Sequence, residues 1–538
     1  MVTQQNTSAI NDLKIHIINF NEQTSIEVTD VAPHFNIFES IFSQYCTCEV
    51  IITDSINLLS KLPIVGEEYV TIQYRTAGLK GGDAKEEYTL RTRSFRIYKL
   101  SEREENNEGT QNYKLHGIDD HCFVNEAYSV NQSYVGQNCI AACEATFKSY
   151  FIDPVEFRPF DKQLSNLVDN GVKIVEKKYE TADKFKSVNN STYIAPGITP
   201  VEVINYLKDE AIHQDTLDTS NYLFFQNVNG FHLRTLGNLK EQPAKYAYFL
   251  KNAIADDVGI KESESSDKTT TTLRNSILSY EFIKQFDTLN SINNGFYGNR
   301  VVVIDLLTKK FDERIFTYNT EWPRLNPIER GPEAAKLHSD SGTASADINM
   351  LATIGSTQTR YISSELLSNS IPTGNPTNFS ANESPSYKQT PYFYPIDKKD
   401  PDEMRDKLTG TLTNYDAKYR MVAFVRDDNK LKNPRLKHEK LNREIATISS
   451  LDNIILNLMV PGNSDLQAGD IIHAFIPDNQ KEAKYMAILG QTEPRLLVTD
   501  VRQTYLMSEG TYMTALTCVK DSLNISVEKL SQLGFGGD

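Results

Sequence analysis

The chain has 538 residues, too many for one hydrophobic core, and its 39% apolar and 24% charged residues are ordinary for a globular protein of three or four domains. Its net charge is −15, from 71 acidic against 56 basic side chains, which argues against a surface that grips nucleic acid, because neutralising phosphate takes Lys and Arg. No apolar run reaches membrane-spanning length, the opening MVTQQNTSAINDLK has no apolar signal core, and six cysteines in so long a chain are no disulfide scaffold, so folding in a cytoplasm is expected.

Alternating apolar residues predict strands at 13–20 (LKIHIINF), 25–31, 48–54 (CEVIITD), 68–74 (EYVTIQY), 88–100 and 112–118. The compact apolar segment 35–42 (FNIFESIF) predicts a short helix or broad turn, 57–62 a short helical connection closed by Pro63, and 78–87 (GLKGGDAKEE) a hairpin tip. Six or seven strands make a small antiparallel barrel. From Gly136 the period becomes helical, at 137–151 (QNCIAACEATFKSYF), with a further short helix expected at 160–168. The strongest helix signal is 199–213, where Thr199, Pro200 and Glu202 form a capping box with proline at the first helical position. Residues 221–239 (NYLFFQNVNGFHLRTLGNL) predict a hairpin turning at Asn-Val-Asn-Gly. A polar low-complexity loop, ESESSDKTTTT, follows within 253–272.

Barrel-like pattern returns at 280–318 and again at 445–523, and between them 319–412 is poor in regular pattern. Within it, 368–395 is rich in Pro, Ser and Asn but carries Tyr and Phe, and predicts an ordered irregular arm rather than a free linker. The second barrel is therefore expected to be split, with 280–318 supplying its first strands. Three segments echo the first barrel. LPIVGEEYVTI (62–72) and DLQAGDIIHAFI (465–476) each place a Gly-acidic pair before a strand. FRIYKL (95–100) parallels LLVTDV (496–501), and YKLHGID (113–119) parallels ALTCVKD (515–521). Any two antiparallel barrels share such spacing, so the pattern alone leaves both a repeat and a coincidence open.

The chemistry is sparse. HGIDDHC brings His116, Asp119, Asp120, His121 and Cys122 together, but at no zinc spacing, and a polar turn ending a strand is the better reading. Cys46 with Cys48, and Cys139 with Cys143, share faces and are expected in the core. GLKGGD lacks the order of a phosphate-binding loop, and no nucleophile elbow or H-E-x-x-H is present. The carboxylates Asp256, Asp257, Glu262 and Glu264 lie in polar loop sequence with nothing to hold a glycosidase pair, and a glycan site would have Trp322 as its only tryptophan. In YTLRTRSFRIYK (88–99), Arg91 and Arg93 alternate with Tyr88 and Leu90, which predicts a charged face meeting an acidic neighbouring subunit rather than nucleic acid. No catalytic, cofactor-binding or metal-ligating residue is assigned, and the chain is expected not to be an enzyme.

Several segments together resemble the baseplate hub subunits of T-even-type contractile-tailed bacteriophages: IFESIFS…CEVIITDSINLLSKLPIVGEEYVTIQY, TPVEVINYL…NYLFFQNVNGFHLRTLGNL, and VPGNSDLQAGDIIHAFIP…LLVTDVRQTY…YMTALTCVKDSL. They occur in the family's order over most of the chain; 319–440 departs from it. The resemblance implies a mainly β, α+β fold with two tail-tube-like antiparallel barrels. It places the first barrel at 1–130, a helix-containing mixed domain at 131–275, and the split second barrel at 276–318 and 441–525. An irregular insertion or arm occupies 319–440, and a tail 526–538. It implies a homotrimer presenting six similar barrels, which joins a hexameric tail tube or its initiator to a trimeric central spike, with baseplate wedges as further contacts. DNA would pass through its channel without specific binding, along an acidic wall for which Glu67, Glu68, Asp470 and Glu509 are candidates, the sequence not saying which of them face it. The expected location is the virion tail, after assembly in the host cytoplasm. The alternatives are the hub of a pyocin-like or type VI injection machine, and, from another class, a tail-associated enzyme or glycan-binding protein.

Overall fold

The computed structural model describes residues 10–76 apart from 20–23, 56, 63 and 67; 90–152 apart from 106–108; 178–213 apart from 182–186 and 188; and 221–250. It also describes 275–317 apart from 286, 297 and 306–309; 328; 351–353; 419–424; and 435–524 apart from 478–488, 490–493 and 509. The expected helix at 160–168, the loop at 253–272, the arm at 368–395 and the tail 526–538 lie outside the described residues.

The fold is mainly β, built chiefly of antiparallel ladders. In chain order the first module contains β1 (Ile10–Asn19), β2 (Thr24–Glu27), β3 (His34–Ser40), β4 (Thr47–Asp54), the short helix α1 (Leu58–Lys61), β5 (Tyr69–Thr76), β6 (Arg91–Glu105) and β7 (Gln111–Ile118). These strands pair in the order β2-β1-β5-β6-β7-β4-β3. Alternation decides which face is buried: Cys48, Val50 and Ile52 of β4 point inward with Phe35 and Ile37 of β3, Val70 and Ile72 of β5, and Phe95 of β6. Each large side chain so buried contributes on the order of 1.5–3 kcal/mol. The segment FNIFESIF is therefore strand rather than helix. Its local apolar density is compatible with either, and ladders on both of its edges, to β4 and to a strand far along the chain, decide the matter.

The middle of the chain is helix-containing. It has α2 (His121–Ala127), α3 (Cys139–Phe147) running into a π turn at Lys148–Ile152, β8 (Lys178–Thr181), α4 (Pro200–Glu210), the hairpin β9 (Tyr222–Asn227) and β10 (Gly230–Thr235), and α5 (Leu236–Glu241). The capping box of α4 is present: the Glu202 carboxylate accepts from the Thr199 amide at 3.0 Å. Asn138 caps α3 by accepting from the amides of Ile140 and Ala141. The hairpin turns at Gly230, whose φ of 122° only glycine adopts without strain. Val203, Ile204 and Leu207 of α4 pack with Cys143 and Phe147 of α3 and Phe224 and Phe231 of the hairpin into a third core.

The second module is assembled from β11 (Ala244–Leu250), β12 (Ser276–Ile277), β13 (Ser279–Lys284), β18 (Ile454–Pro461), β19 (Ile471–Phe475), β20 (Arg495–Leu506) and β21 (Thr511–Lys520). Its ladder runs β11-β19-β20-β21-β18-β13, and β12, separated from β13 by Leu278 alone, pairs back onto β11. Two expectations change here. Strand β11 precedes the expected start of this module at 276. The hairpin β14 (Gly298–Asp305) and β15 (Lys310–Thr317), expected in the second barrel, instead forms a separate three-stranded sheet with β17 (Tyr419–Phe424). Helix α6 (Thr288–Asn293) leads into that hairpin, and α7 (Arg435–Ser450) packs on the small sheet, with the Asn299 side chain donating to the carbonyl of Asn442 at 3.0 Å. A two-stranded ladder, β16 (Leu351–Thr353) with β22 (Ser522–Asn524), completes the described elements.

Nor are the two modules separate barrels. Strand β20 is 12 residues long, and β19 covers only its first part, Arg495–Leu497. The remainder, Asp500–Leu506, pairs with β3 of the first module, so all these strands form one 14-stranded sheet. Among the described residues no helix is long and apolar enough to cross a membrane.

Candidate functional site

The seam where β3 meets β20 is the most elaborated place in the molecule. Polar side chains pair across it between the two modules. The Arg93 guanidinium of β6 donates to Glu39 of β3 at 2.6 Å, with both side chains buried, and the other Glu39 oxygen accepts from the Ala468 amide. Arg91 pairs with Asp465 at 2.9 Å. Thr76 and Ser464 exchange hydrogen bonds, and Asn36 accepts from both Arg502 and Thr504. Tyr74 of the first module and Tyr512 of the second both donate to Gln503 Oε1, and Tyr512 lies inside the first module's core. Arg91 and Arg93 do meet acidic partners as the alternation predicts, but those partners belong to this same chain and not to a neighbouring subunit. Beside the seam lies a cleft of about 620 Å³ whose lining includes Phe38, Tyr45, Tyr280, Glu281, Met459 and Arg502.

The two modules joined at this seam are copies of one ladder. The order β5-β6-β7-β4-β3 matches β19-β20-β21-β18-β13. The β6–β7 ladder slips at Tyr98, between the pairs Ile97 with Gly117 and Lys99 with His116; the β20–β21 ladder slips at Thr499, between Val498 with Cys518 and Asp500 with Thr517. The Ile97 amide donates to the Glu68 carbonyl at 2.9 Å, and the Val498 amide to the Asp470 carbonyl at 2.9 Å. Glu68 comes two residues after Gly66, at φ 101°, and Asp470 directly after Gly469, at φ 92°, and each carboxylate closes the turn before it. Glu68 accepts from the amides of Val65 and Gly66, and Asp470 from that of Gln467. A bulge and a turn at matching positions go beyond what any two antiparallel sheets share. The ladders align 95–100 with 496–501 as the sequence does, and shift the next segment by one residue, so that Gly117 matches Cys518. The copies differ at one flank, where β1 is antiparallel to β5 while β11 is parallel to β19.

This accounts for two of the candidate channel acids. Glu68 is fully buried as a turn cap, and Asp470 is buried against Lys245 at 2.9 Å, where burial pushes its carboxyl upward against the pull of that lysine. Neither lines a channel; Glu67 and Glu509 lie outside the described residues, as do GLKGGD, the carboxylates at 256, 257, 262 and 264, and Trp322.

HGIDDHC is divided by the fold. His116 lies on β7, 2.8 Å from Ser101 and 3.5 Å from Glu49. Asp120 accepts from the Tyr69 hydroxyl at 2.7 Å. Asp119 and His121 point inward, 2.6 Å apart, and Asp119 also accepts from Gln226 of β9 at 2.7 Å. Gln226 in turn accepts from the Cys46 amide, so this buried network fastens the first module to the β9–β10 hairpin. His121 stacks edge-on against Phe231, 5.0 Å away. Among the described residues no group of three or more His, Cys, Asp or Glu is placed to hold a metal. Cys46, Cys48, Cys139 and Cys143 are buried in the cores, where burial pushes the Cys46 thiol up to about 12, far from the thiolate a nucleophile needs. Sequence reading missed the Glu39–Arg93 pair and the Gln226 joint. The one available signal was a lone Glu inside FNIFESIF, a charge in a segment otherwise destined for burial.

No family model matches the sequence, and no curated protein matches it. Among solved structures the chain is similar to a tail protein from Neisseria meningitidis, with 9% identity, a TM-score of 0.44, and coverage of 96% of this chain and 99% of that one. It is similar to the 43 kDa tail protein of prophage MuSo2 from Shewanella oneidensis, at 8% identity and a TM-score of 0.43, covering 95% and 98%. It also resembles a component of the E. coli type VI secretion system, at 8% identity and a TM-score of 0.31, covering 92% and 75%. The functional reading rests on the chain's own geometry and not on these distant likenesses.

Proposed function

We propose that this chain is a structural hub of a contractile tail, in which three copies form a ring of six similar modules that joins a sixfold tail tube to a threefold central spike. One observation carries the reading: a single chain holds two copies of one ladder, fused edge to edge into a continuous sheet. A ring of three such chains is nearly sixfold where the ladders repeat and threefold where the copies differ. A ring of six identical subunits would meet a threefold spike with half its contacts unequal. The inserted middle domain and the small β14–β15–β17 sheet occur once per chain and supply the threefold features.

The role is mechanical and not catalytic. The buried acids and bases of the seam are occupied in holding modules together, and burial raises the thiols of Cys46 and Cys122. A net charge of −15 suits a channel that DNA traverses without sticking. The same ring would serve an injection machine that carries no genome, and the presence or absence of DNA in purified particles separates the two. The test of the hub is the solution mass of the full chain, alone and with a candidate trimeric spike, by light scattering. Three copies, or three copies with three spike chains, is the expected result. A chain that stays single and binds no spike overturns it.

A further inference from the structure

The contact between Ser101 and His116 belongs to a larger arrangement on the first module. His116 Nε2 lies 2.8 Å from the Ser101 hydroxyl, and Glu49 lies 3.5 Å from the other ring nitrogen, Nδ1. The three residues sit on adjacent strands, β6, β7 and β4, with the imidazole between hydroxyl and carboxylate. A carboxylate beside Nδ1 favours the tautomer protonated there, which makes Nε2 an acceptor for the hydroxyl. Nucleophile, base and orienting acid in this order activate a serine. The carboxylate contact is long for a hydrogen bond, as such contacts often are before a ligand binds. The backbone is shaped around Ser101 too. Strand β6 slips against β7 at Tyr98 and again between Ser101 and Glu104, where Glu102 and Arg103 face Tyr113 alone. Glu102 has a φ of 54°, in the left-handed region that residues other than glycine rarely adopt, and its carboxylate is held by Lys114 at 2.8 Å. Bulges re-aim side chains, and strained backbone clusters at functional sites. The second module serves as a control, because it has the slip at Thr499 and not the second one. By the matched ladders, Ser101, His116 and Glu49 correspond to Arg502, Thr517 and Asn457. There Thr517 donates to Asn457 at 3.1 Å and Arg502 to Asn36 at 3.2 Å. The ladder forms without the second bulge and without the hydroxyl–imidazole–carboxylate series, so strand pairing does not require either.

We infer that Ser101 is an activated nucleophile that takes an acyl group from an activated ester, with His116 as its base and Glu49 as the residue that positions the imidazole. The Ser101 oxygen bonds to the carbonyl carbon of the ester, and the bond from that carbon to the leaving oxygen breaks. The serine proton passes through His116 Nε2 to the leaving group. The product is an ester on Ser101, a covalent modification of the chain rather than turnover of a substrate, and it stands or falls independently of the hub reading. Lys99, opposite His116, and Lys114, opposite Ser101, bring positive charge to this region of the ladder for the developing oxyanion. Tyr98 is 51% exposed, with its ring 6.1 Å from that of His116, and offers an apolar wall to the acyl chain.

The experiment treats the full-length protein with p-nitrophenyl acetate and locates the acetyl group by peptide mass spectrometry. The mapping is repeated after hydroxylamine, which strips acetyl from a serine oxygen and leaves it on a lysine nitrogen. The expected result is a hydroxylamine-labile acetyl group at Ser101, while Ser94 of the same strand, hydrogen-bonded to the Thr71 hydroxyl, stays unmodified. Ser101→Ala abolishes the labile group. His116→Gln keeps a polar neighbour for the hydroxyl but takes no proton, and slows the reaction about 100-fold or more. Glu49→Gln also slows it, and shifts the His116 nitrogen-15 resonances toward the Nε2-protonated tautomer, which a purely structural carboxylate would not do. Acetylation of the parent at lysines alone overturns the assignment, and this outcome needs no variant to fold. Labelling of Ser101 at the parent's rate in His116→Gln overturns it as well.

Discussion

The first and second modules run the same ladder but bury different things at the same places. At the end of β7, Asp119 is buried and held by His121 and Gln226; at the matching end of β21, Lys520 is buried and donates to the Arg495 carbonyl at 3.1 Å. Next to it, Asp521 is committed to Lys240 of α5 at 2.6 Å. Both ends anchor the middle domain, one through a neutral amide bridge and the other through an ion pair. On the opposite edge the contrast concerns company: β3 is paired on both sides, to β4 and β20, whereas β13 is paired only to β18 among the described residues. Two sheets with one strand order thus keep the same ladder, which packing specifies, while the polar groups at their ends differ to suit different neighbours.

The sharpest way to break the comparison is at the seam itself. Arg93→Met strands the buried Glu39 carboxylate and is expected to cost about 3–5 kcal/mol, while Arg93→Met with Glu39→Leu recovers most of it. Urea midpoints of the two singles and the double form the cycle, and additive losses would show that the pair is not coupled. Next in size is Gly462→Ala. A Cβ there meets the Tyr512 ring at 2.0 Å, so the side chain that plugs the first core from the second module has to move. Overpacking of this kind costs about 1–3 kcal/mol. A thermal midpoint unchanged from the parent would mean that Tyr512 is not fixed by its neighbours.

The repeat itself is sharpened by paired substitutions. Glu68→Ala and Asp470→Ala each remove a turn-closing carboxylate and are expected to lose similar amounts, about 1–2 kcal/mol apiece. A large inequality in chemical denaturation would mean that the two turns are not equivalent in energy. The smallest effect concerns pH. Burial lowers Lys520 to about 7, well below an ordinary lysine, even with Asp521 beside it. Between about 7 and the ordinary value near 10.5 the unfolded chain holds a proton that the folded chain does not, so stability rises with pH across that window and is flat for this group below it. Lys520→Met is expected to remove that rise, about 1 kcal/mol for each pH unit. Denaturation curves at pH 7.5 and 8.5 that keep the same slope would assign the dependence elsewhere.

Much of the ladder was legible in the chain, because alternation along β4, β5, β7, β18 and β21 is a property of each strand's own residues. So was α4, whose start is written in Thr199, Pro200 and Glu202. The Gly-acidic segments were visible too, since a positive-φ glycine with a capping carboxylate is a local device, although the acid that caps after Gly66 is Glu68 and not its immediate neighbour. What stayed hidden was every choice made between distant segments. Local patterning did not say that FNIFESIF would be a strand, because the partners that make it one are β4 and β20, the latter more than 450 residues away. The hairpin at 298–317 carried barrel-like pattern as well, and only the available edges decided that it would pair with β17 rather than with the second module. Glu68 and Asp470 were only candidates for a lumen wall, because a strand's sequence does not reveal which of its neighbours need a hydrogen-bond acceptor. The sequence by itself determined the mainly β character, the capped helix and the two turns, all fixed by contacts within a few residues. The tertiary structure alone decided the single continuous sheet and the buried Glu39–Arg93 pair, because these depend on which strands outrun their neighbours.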